Sequence, residues 1–208
     1  MKRRDVHGEY AKAFNEVLLR IQRSLKASRP GVFPVRMYIA GGAALHLLTG
    51  ERVTEDIDAT FSKRVLLGEE IEVSYRDSDG RARLMYLDRN TNDTLGLLHE
   101  NAYADSRPVD IPGIDRGLME VRVLSPVDLA IAKLARFNDQ DREDIRLLAR
   151  KGLIDSGSLR RRAEEALGGY IGDAAPVRTS IDIACRLIDA ERPPSGSPKK
   201  QRARGKPR

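Results

Sequence analysis

The hydrophobic positions at the start of the chain follow first a helical and then a strand-like pattern. Residues 8–27 place apolar side chains three and four positions apart, which predicts an amphipathic helix. The apolar run 35–40 predicts a buried strand, and residues 43–49 predict a short helix that ends at Gly50, because glycine readily adopts the left-handed conformation that closes helices. The chain therefore begins with a helix, a strand and a second helix.

The middle of the chain is rich in predicted strands. Residues 56–61 form one, and 71–76 and 81–87 flank an Asp-Ser-Asp-Gly turn that indicates a hairpin. The segments 94–99 and 118–124 predict two more strands. Several strands close together in the chain indicate one sheet.

The last third of the chain is predicted to be helical. Ser125 is a helix cap and Pro126 suits the first helical position, so a helix is expected from here to about residue 137. Further helices are predicted at 139–150, 155–167 and 175–190.

Strands followed by helices predict the α+β class, as a mixed β-sheet with flanking helices and a helical C-terminal part. We predict a core with the N-terminal helix at residues 1–124 and a helical part packed on it at 125–190. The Pro/Ser/Gly-punctuated basic segment 191–208 is expected to be a disordered tail.

Composition is that of a soluble globular protein. Of 208 residues, 33% are charged and 40% hydrophobic, and no apolar run is long enough to span a membrane. The single Cys185 cannot form an internal disulfide. We expect a cytoplasmic protein with no membrane partner.

A net charge of +6 and a pI near 9.6 favour a polyanionic partner such as RNA. However, six basic residues lie within the last ten, so the body of the chain is close to neutral. Three consecutive arginines at 160–162 lie early in a predicted helix, where their charge opposes the helix dipole. RNA phosphate contact and a solvated helix face are the alternatives for them.

Candidate chemistry lies at a glycine pair and an acidic strand. Asp56 and Asp58 are two apart on a predicted strand, so their carboxylates share a face and offer hard oxygen ligands to a divalent metal. Gly41 and Gly42 allow close backbone approach to phosphate at a helix N-terminus. The alternative is an ordinary strand-turn-helix, because each motif alone is common.

In order and spacing, these pieces resemble the nucleotidyltransferase superfamily of the DNA polymerase β type. Its signature is a hydrophobic residue and two small residues, a gap of about a dozen residues, and Asp-hydrophobic-Asp. The added Gly50, Arg52 and Thr54 look more narrowly like the AbiEii-type and related toxin-like nucleotidyltransferases of bacteria. The resemblance covers roughly residues 35–150.

A second block is similar to the same toxin-like families. It contains Lys133 in an apolar helix and Asp141 and Asp144 on one face of the next helix. From the residues alone we expect Lys133 to direct its ammonium group outward, as most helical lysines do. The resemblance implies instead that Lys133 contacts the triphosphate or the leaving pyrophosphate, and that Asp144 orients it or the acceptor.

The resemblance implies transfer of a nucleoside monophosphate from an NTP to an acceptor hydroxyl, dependent on Mg²⁺ or Mn²⁺. Asp56 and Asp58 would be catalytic and would hold the metal. The residues assigned to nucleotide binding are Gly41, Gly42, Arg52 and Thr54. For Arg52, a surface ion pair with Glu51 or Glu55 is the alternative.

Many enzymes of this type have a third carboxylate on a neighbouring strand. Asp88, at the end of a predicted strand, is the best candidate by position, followed by Glu100 and Asp105. A turn-forming role for Asp88 is the alternative, and the one that its residue type favours.

The acceptor implied by the resemblance is RNA, with the 3′ end of tRNA favoured, and the protein would then be the toxin of a toxin–antitoxin pair with a cognate antitoxin. Two alternatives remain open. One is transfer to a small molecule such as an aminoglycoside, or to a protein side chain. The other is a non-catalytic nucleotidyltransferase-fold protein that acts as a binding or antitoxin module.

Overall fold

The computed structural model describes residues 6–28, 33–68, 71–77, 79–88 and 96–191. The predicted tail lies outside this range from residue 192 onward, and the predicted strand 94–99 is described only from Gly96, where the chain forms no strand. No helix in the described ranges has the length and apolar character needed to cross a membrane.

Six strands of the described chain form one mixed sheet. They are β1 (Val35–Ile39), β2 (Asp56–Phe61), β3 (Glu72–Arg76), β4 (Ala82–Asp88), β5 (Arg107–Pro108) and β6 (Met119–Val123). The spatial order is β3-β4-β2-β1-β6-β5. β1 runs antiparallel to β2 and parallel to β6, while β2 runs parallel to β4. This confirms the predicted mixed sheet; β5, only two residues long, has no detectable periodicity in the sequence.

The helices of the described ranges lie close to their predicted positions. They are α1 (Val6–Ser28), α2 (Gly41–Thr49), α3 (Pro126–Ala132), α4 (Asp139–Arg150), α5 (Ser156–Leu167) and α6 (Ala174–Glu191). As predicted, Ser125 caps α3 and Gly50 ends α2 in the left-handed conformation, with φ of 73°.

α3 ends at Ala132, five residues earlier than predicted. Phe137 has a φ of 49°, which a helix cannot accommodate, and the next residue, Asn138, already caps α4. Asn138 accepts a hydrogen bond from the Asp141 backbone while the Asp141 carboxylate accepts one from the Asn138 backbone. The strong start of α4 therefore shortens α3 and leaves Lys133 at its C-terminal cap.

One face of the sheet carries the core. Alternate residues such as Met37, Ile57 and Met85 are buried on this face, which packs against α1 and α2. The intervening residues point to the opposite face, and Asp56 and Asp58 belong to that second set. The buried face thus fixes the register that presents both acids together.

A largely buried ion pair connects α3 and α5. Arg162 of α5 donates to both carboxylate oxygens of Asp128 in α3, at 2.8 and 3.0 Å, and also to Asp105. Asp128 has no exposed surface, whereas Arg160 pairs with Asp182 in solvent. Two of the three consecutive arginines therefore have intramolecular carboxylate partners.

We predict that Arg162→Ala lowers the free energy of unfolding by about 3 kcal/mol, because it leaves the Asp128 carboxylate buried and unpaired. Arg160→Ala is the matched control on the same helix and should cost less than about 1 kcal/mol, since its ion pair is exposed. Urea unfolding of the two variants measures the difference, and equal losses would contradict a structural role for the buried pair.

Candidate active site

The glycine bend after β1 lies directly against an acidic side chain. Gly41 has a φ of 58°, and a Cβ atom added there would lie 2.8 Å from Asp58 Cγ and closer still to Oδ2. The Ala40 backbone N–H donates to the Asp58 carbonyl at 2.9 Å. Only glycine allows both the left-handed conformation and this close approach. The two halves of the predicted motif are therefore in contact.

The N-terminus of α2 opens at the same bend. Its capping residue is Ala40, which offers no side-chain hydrogen bond to the first N–H groups of the helix. Uncapped N–H groups and the positive end of the helix dipole favour an anion at this position. The acidic strand and the uncapped end of α2 thus lie against each other, an arrangement that suits a metal-bound phosphate.

Thr54 connects the second glycine to the first acid. A Cβ atom on Gly42 would lie 2.9 Å from the Thr54 Cβ, and the Thr54 hydroxyl donates to the Asp56 carboxylate. Thr54 therefore lies against Gly42 and holds the Asp56 carboxylate in position through its hydroxyl. Its direct contact with a nucleotide remains a prediction.

Three carboxylates gather where β2 and β4 pair. Asp56 and Asp58 are both partly buried, and Asp58 lies opposite Asp88 in the parallel register of the two strands. Burial raises the pKa of Asp58 above its ordinary value, and repulsion from Asp56 and Asp88 raises it further. A bound cation would relieve this repulsion.

The other two candidates for a third carboxylate lie elsewhere. Asp105 is bonded to Arg162 of the helical part. Glu100 is exposed on the turn that follows His99. The register of the sheet therefore favours Asp88.

The acids fit a Mg²⁺ or Mn²⁺ ion that is shared with its substrate. Their oxygens are hard ligands, and Mg²⁺ is usually held by one or two carboxylates together with phosphate and water. Within the described residues, no group of three or more His, Cys, Asp or Glu side chains converges as a ready-made cage. Asp56 and Asp58 would hold the ion, and the remaining ligands would come from a nucleotide and water.

Lys133 points inward, so the outward orientation expected from the residues alone is wrong. Its side chain is 9% exposed, and Nζ lies 2.7 Å from Asp144 Oδ2 and 3.6 Å from Asp141 Oδ1. The reason is the early end of α3: Lys133 is a helix cap facing α4, not a mid-helix residue. Lys133 also acts electrostatically to lower the pKa of Asp58, so its charge reaches the acidic strand.

Arg52 joins the same network. Its Nε lies 3.3 Å from Asp144 Oδ1, an ion-pair distance without hydrogen-bond geometry. The surface pairing with Glu51 or Glu55 is therefore wrong: Glu51 pairs with Lys151 and Glu55 with Arg83. Asp144 thus organises two cations beside the glycine bend.

Arg136 is a residue that sequence reasoning missed. Its guanidinium binds both oxygens of the buried Asp141, at 2.9 and 2.7 Å, yet 70% of its side chain is exposed. Burial opposes ionisation of Asp141, but the Arg136 hydrogen bonds, the charge of Lys133 and the Asn138 backbone N–H together keep its pKa below the ordinary value. Arg136 also lowers the pKa of Asp58 through its charge. The sequence offered no local signal for Arg136, because its partner Asp141 becomes buried only when the helices pack.

Two ring side chains, Tyr10 and His46, pack against the segment that precedes β2. His46 Nδ1 lies 2.7 Å from the Arg52 carbonyl oxygen, and the ring of Tyr10 packs 4.3 Å from that of His46. Burial raises the pKa of Tyr10. The first helix therefore supports the segment that carries Arg52 and Thr54.

We predict that Gly41→Ala displaces the Asp58 carboxylate and abolishes Mg²⁺-dependent nucleotide binding. Gly50→Ala is a matched control because Gly50 also has a positive φ, but nothing lies within 4 Å of an added Cβ. Both changes should cost about 1 kcal/mol through backbone strain. Only Gly41→Ala should abolish Mg²⁺-dependent nucleotide binding, which titration calorimetry measures. Equal binding by both variants would contradict the contact.

We predict that Asp58→Asn raises the free energy of unfolding near neutral pH in metal-free buffer. The folded protein holds the Asp58 proton more tightly than the unfolded chain, so ionisation destabilises the wild type as pH rises through the raised pKa. The gain should disappear as the pH falls toward 3.8. Urea unfolding across this range tests it, with Glu100→Gln as an exposed control. A destabilised Asp58→Asn variant near neutral pH would contradict the repulsion.

A crystal structure of an antigenic nucleotidyltransferase-like protein from Paracoccidioides brasiliensis aligns with 88% of this chain and 93% of that chain, at 15% identity. Its TM-score of 0.38 is too low to support an argument. The comparison with curated proteins gives no match.

A family profile described as a nucleotidyltransferase of unknown function (DUF6036) matches residues 16–175. The matched region is more than two thirds of the chain and includes the glycine bend, the acidic strands, Lys133 and Asp144. The chain belongs to this nucleotidyltransferase family.

Proposed function

We propose that the protein transfers a nucleoside monophosphate from an NTP to an acceptor hydroxyl, using Mg²⁺ or Mn²⁺. The observation that carries the proposal is the contact between the Gly41 bend and Asp58, with Asp56 beside them on the same sheet face. Family membership supports the reaction class.

In the proposed reaction, the acceptor oxygen bonds to the α-phosphorus of the NTP. The bond between that phosphorus and the oxygen bridging to the β-phosphate breaks, pyrophosphate leaves with the electron pair, and the hydroxyl proton passes to water. The metal, when bound, neutralises charge on the attacking and leaving oxygens. The protein contributes position and electrostatic stabilisation.

The backbone and the acids have separate tasks in this proposal. The N–H groups of Gly41 and Gly42, at the start of α2, bind phosphate oxygens. Asp56 and Asp58 would hold the ion. The Thr54 hydroxyl keeps Asp56 in its orientation, since it already donates to that carboxylate.

In this proposal, positively charged side chains of Arg52 and the helices offset the negative charge of the triphosphate. Lys133 and Arg52 both pair with Asp144, which fixes their direction before any nucleotide binds. Arg136 donates to Asp141 from two of its three guanidinium nitrogens while most of its side chain faces solvent, so its exposed edge is available to the leaving pyrophosphate.

RNA is the proposed acceptor, with the 3′ end of tRNA favoured. This choice follows from the likeness of the two motif blocks to toxin-like nucleotidyltransferases and from the basic balance of the chain. A toxin role with a cognate antitoxin belongs to the same proposal. Transfer to a small molecule or to a protein side chain is the alternative acceptor class.

A non-catalytic binding module is the second candidate function. It would be favoured by the lack of a third carboxylate beside the two acids. Asp88 lies in register with Asp58 on the neighbouring strand and acts electrostatically on it, which favours the enzyme.

The test is incubation with each α-labelled NTP, Mg²⁺ and either total tRNA or a protein extract. We expect label transfer by the wild type, and Asp58→Asn and Lys133→Ala should each lower it by about a hundredfold or more. Arg160→Ala removes an exposed cation far from the acids and should leave transfer unchanged. Labelling by both site variants at the wild-type level, or none by the wild type with any NTP, would instead support the binding module.

A further inference from the structure

On the β4 side of β2, the sheet face that carries the acids has exposed side chains within the described part of the chain. On β4, Leu84 and Tyr86 point to this face and are 37% and 39% exposed, although most large apolar side chains of the described chain are buried. Their register partners on β3, Ser74 and Glu72, are exposed as well. We call Leu84, Tyr86 and these two partners the open face.

The open face is continuous with the acidic strand. Tyr86 lies directly opposite Asp56 in the β2–β4 register, two residues before the pair of Asp58 and Asp88. Neighbouring strands are about 4.8 Å apart, and paired residues point to the same side. The phenol ring therefore adjoins the candidate metal ligands.

The other side of β2 is different. Tyr38 of β1 lies on the same sheet face, but it is buried. Its ring packs against that of Tyr103, with the two ring centroids 4.8 Å apart. Next to it the Gly41 bend and α2 provide the phosphate-binding backbone. One side of β2 is thus built for the triphosphate, and the other offers an exposed aromatic ring.

The geometry of phosphoryl transfer indicates which side of β2 receives the leaving group and which side receives the acceptor. Attacking and leaving oxygens lie roughly in line through the phosphorus. Pyrophosphate leaves toward the side of Gly41, Arg52 and Lys133, so the attacking hydroxyl approaches from the opposite side. In the strand order β3-β4-β2-β1, that side is β4.

We propose that Tyr86 stacks against the base of the terminal nucleotide of a single-stranded acceptor, with Leu84 extending the platform to the preceding base. This inference rests on the proposed function and specifies its acceptor as a nucleic acid 3′ end. Stacking on an exposed aromatic ring tolerates every base. Tyr86 thus positions the acceptor hydroxyl and takes no part in NTP binding.

The test compares acceptor and nucleotide binding in the full-length chain. The probes are a labelled single-stranded ribonucleotide hexamer and the same hexamer with an abasic 3′-terminal nucleotide. Tyr86→Ala should weaken binding of the intact hexamer by about 5- to 150-fold. Tyr86→Phe keeps the ring and should retain wild-type affinity, and Phe33→Ala is a control of equal exposure at the other end of β1.

The abasic probe separates stacking from a general structural effect. Wild type should bind it about as weakly as Tyr86→Ala binds the intact hexamer, and Tyr86→Ala should not distinguish the two probes. The inference fails if Tyr86→Ala binds like Phe33→Ala, if it still distinguishes the probes, or if the wild type binds neither. Mg²⁺-dependent NTP affinity, measured alongside, should be the same in all variants; its absence from the wild type would instead overturn the proposed function.

Discussion

The site depends on the contact between the Gly41 backbone and the Asp58 carboxylate. A side chain at residue 41 would occupy the space of that carboxylate, and the left-handed bend also sets the direction in which α2 leaves the sheet. Because the Ala40 N–H donates to the Asp58 carbonyl, the N-terminus of α2 and the acids are held together by the pairing of β1 and β2. In the proposed function, metal and phosphate would therefore meet at a place that the pairing of β1 and β2 defines.

A network of charged side chains also links α3 and α4 to this unit. Lys133, Asp144 and Arg52 form a largely buried network that links α3 and α4 to the segment before β2. Buried ion pairs add little net stability compared with apolar packing, because desolvation offsets their attraction. In the proposed function, their presence is better explained by a need for fixed positive charge near the acids and the phosphates that they would bind.

Much of this could be predicted from local patterns. Glycine pairs, helix caps and alternating strands are short-range signals, and they predicted the mixed sheet, the bounds of α4 and the superfamily. The narrower toxin-like subfamily, the domain division and the roles of individual site residues remain predictions. The predicted outward direction of the Lys133 side chain was wrong because that direction depends on where α3 ends. The end of α3 is set by competition with the Asn138 cap of α4. Arg136 was missed because its partner Asp141 becomes buried only through tertiary packing.

The most direct measurement is anomalous diffraction from crystals grown with Mn²⁺ and a non-hydrolysable NTP analogue. The account predicts a manganese peak bound by carboxylate oxygens of Asp56 and Asp58, with phosphate oxygens on the same ion and within hydrogen-bond distance of the Gly41 and Gly42 amides. A nucleotide bound elsewhere, or a peak without these two carboxylates, would contradict it.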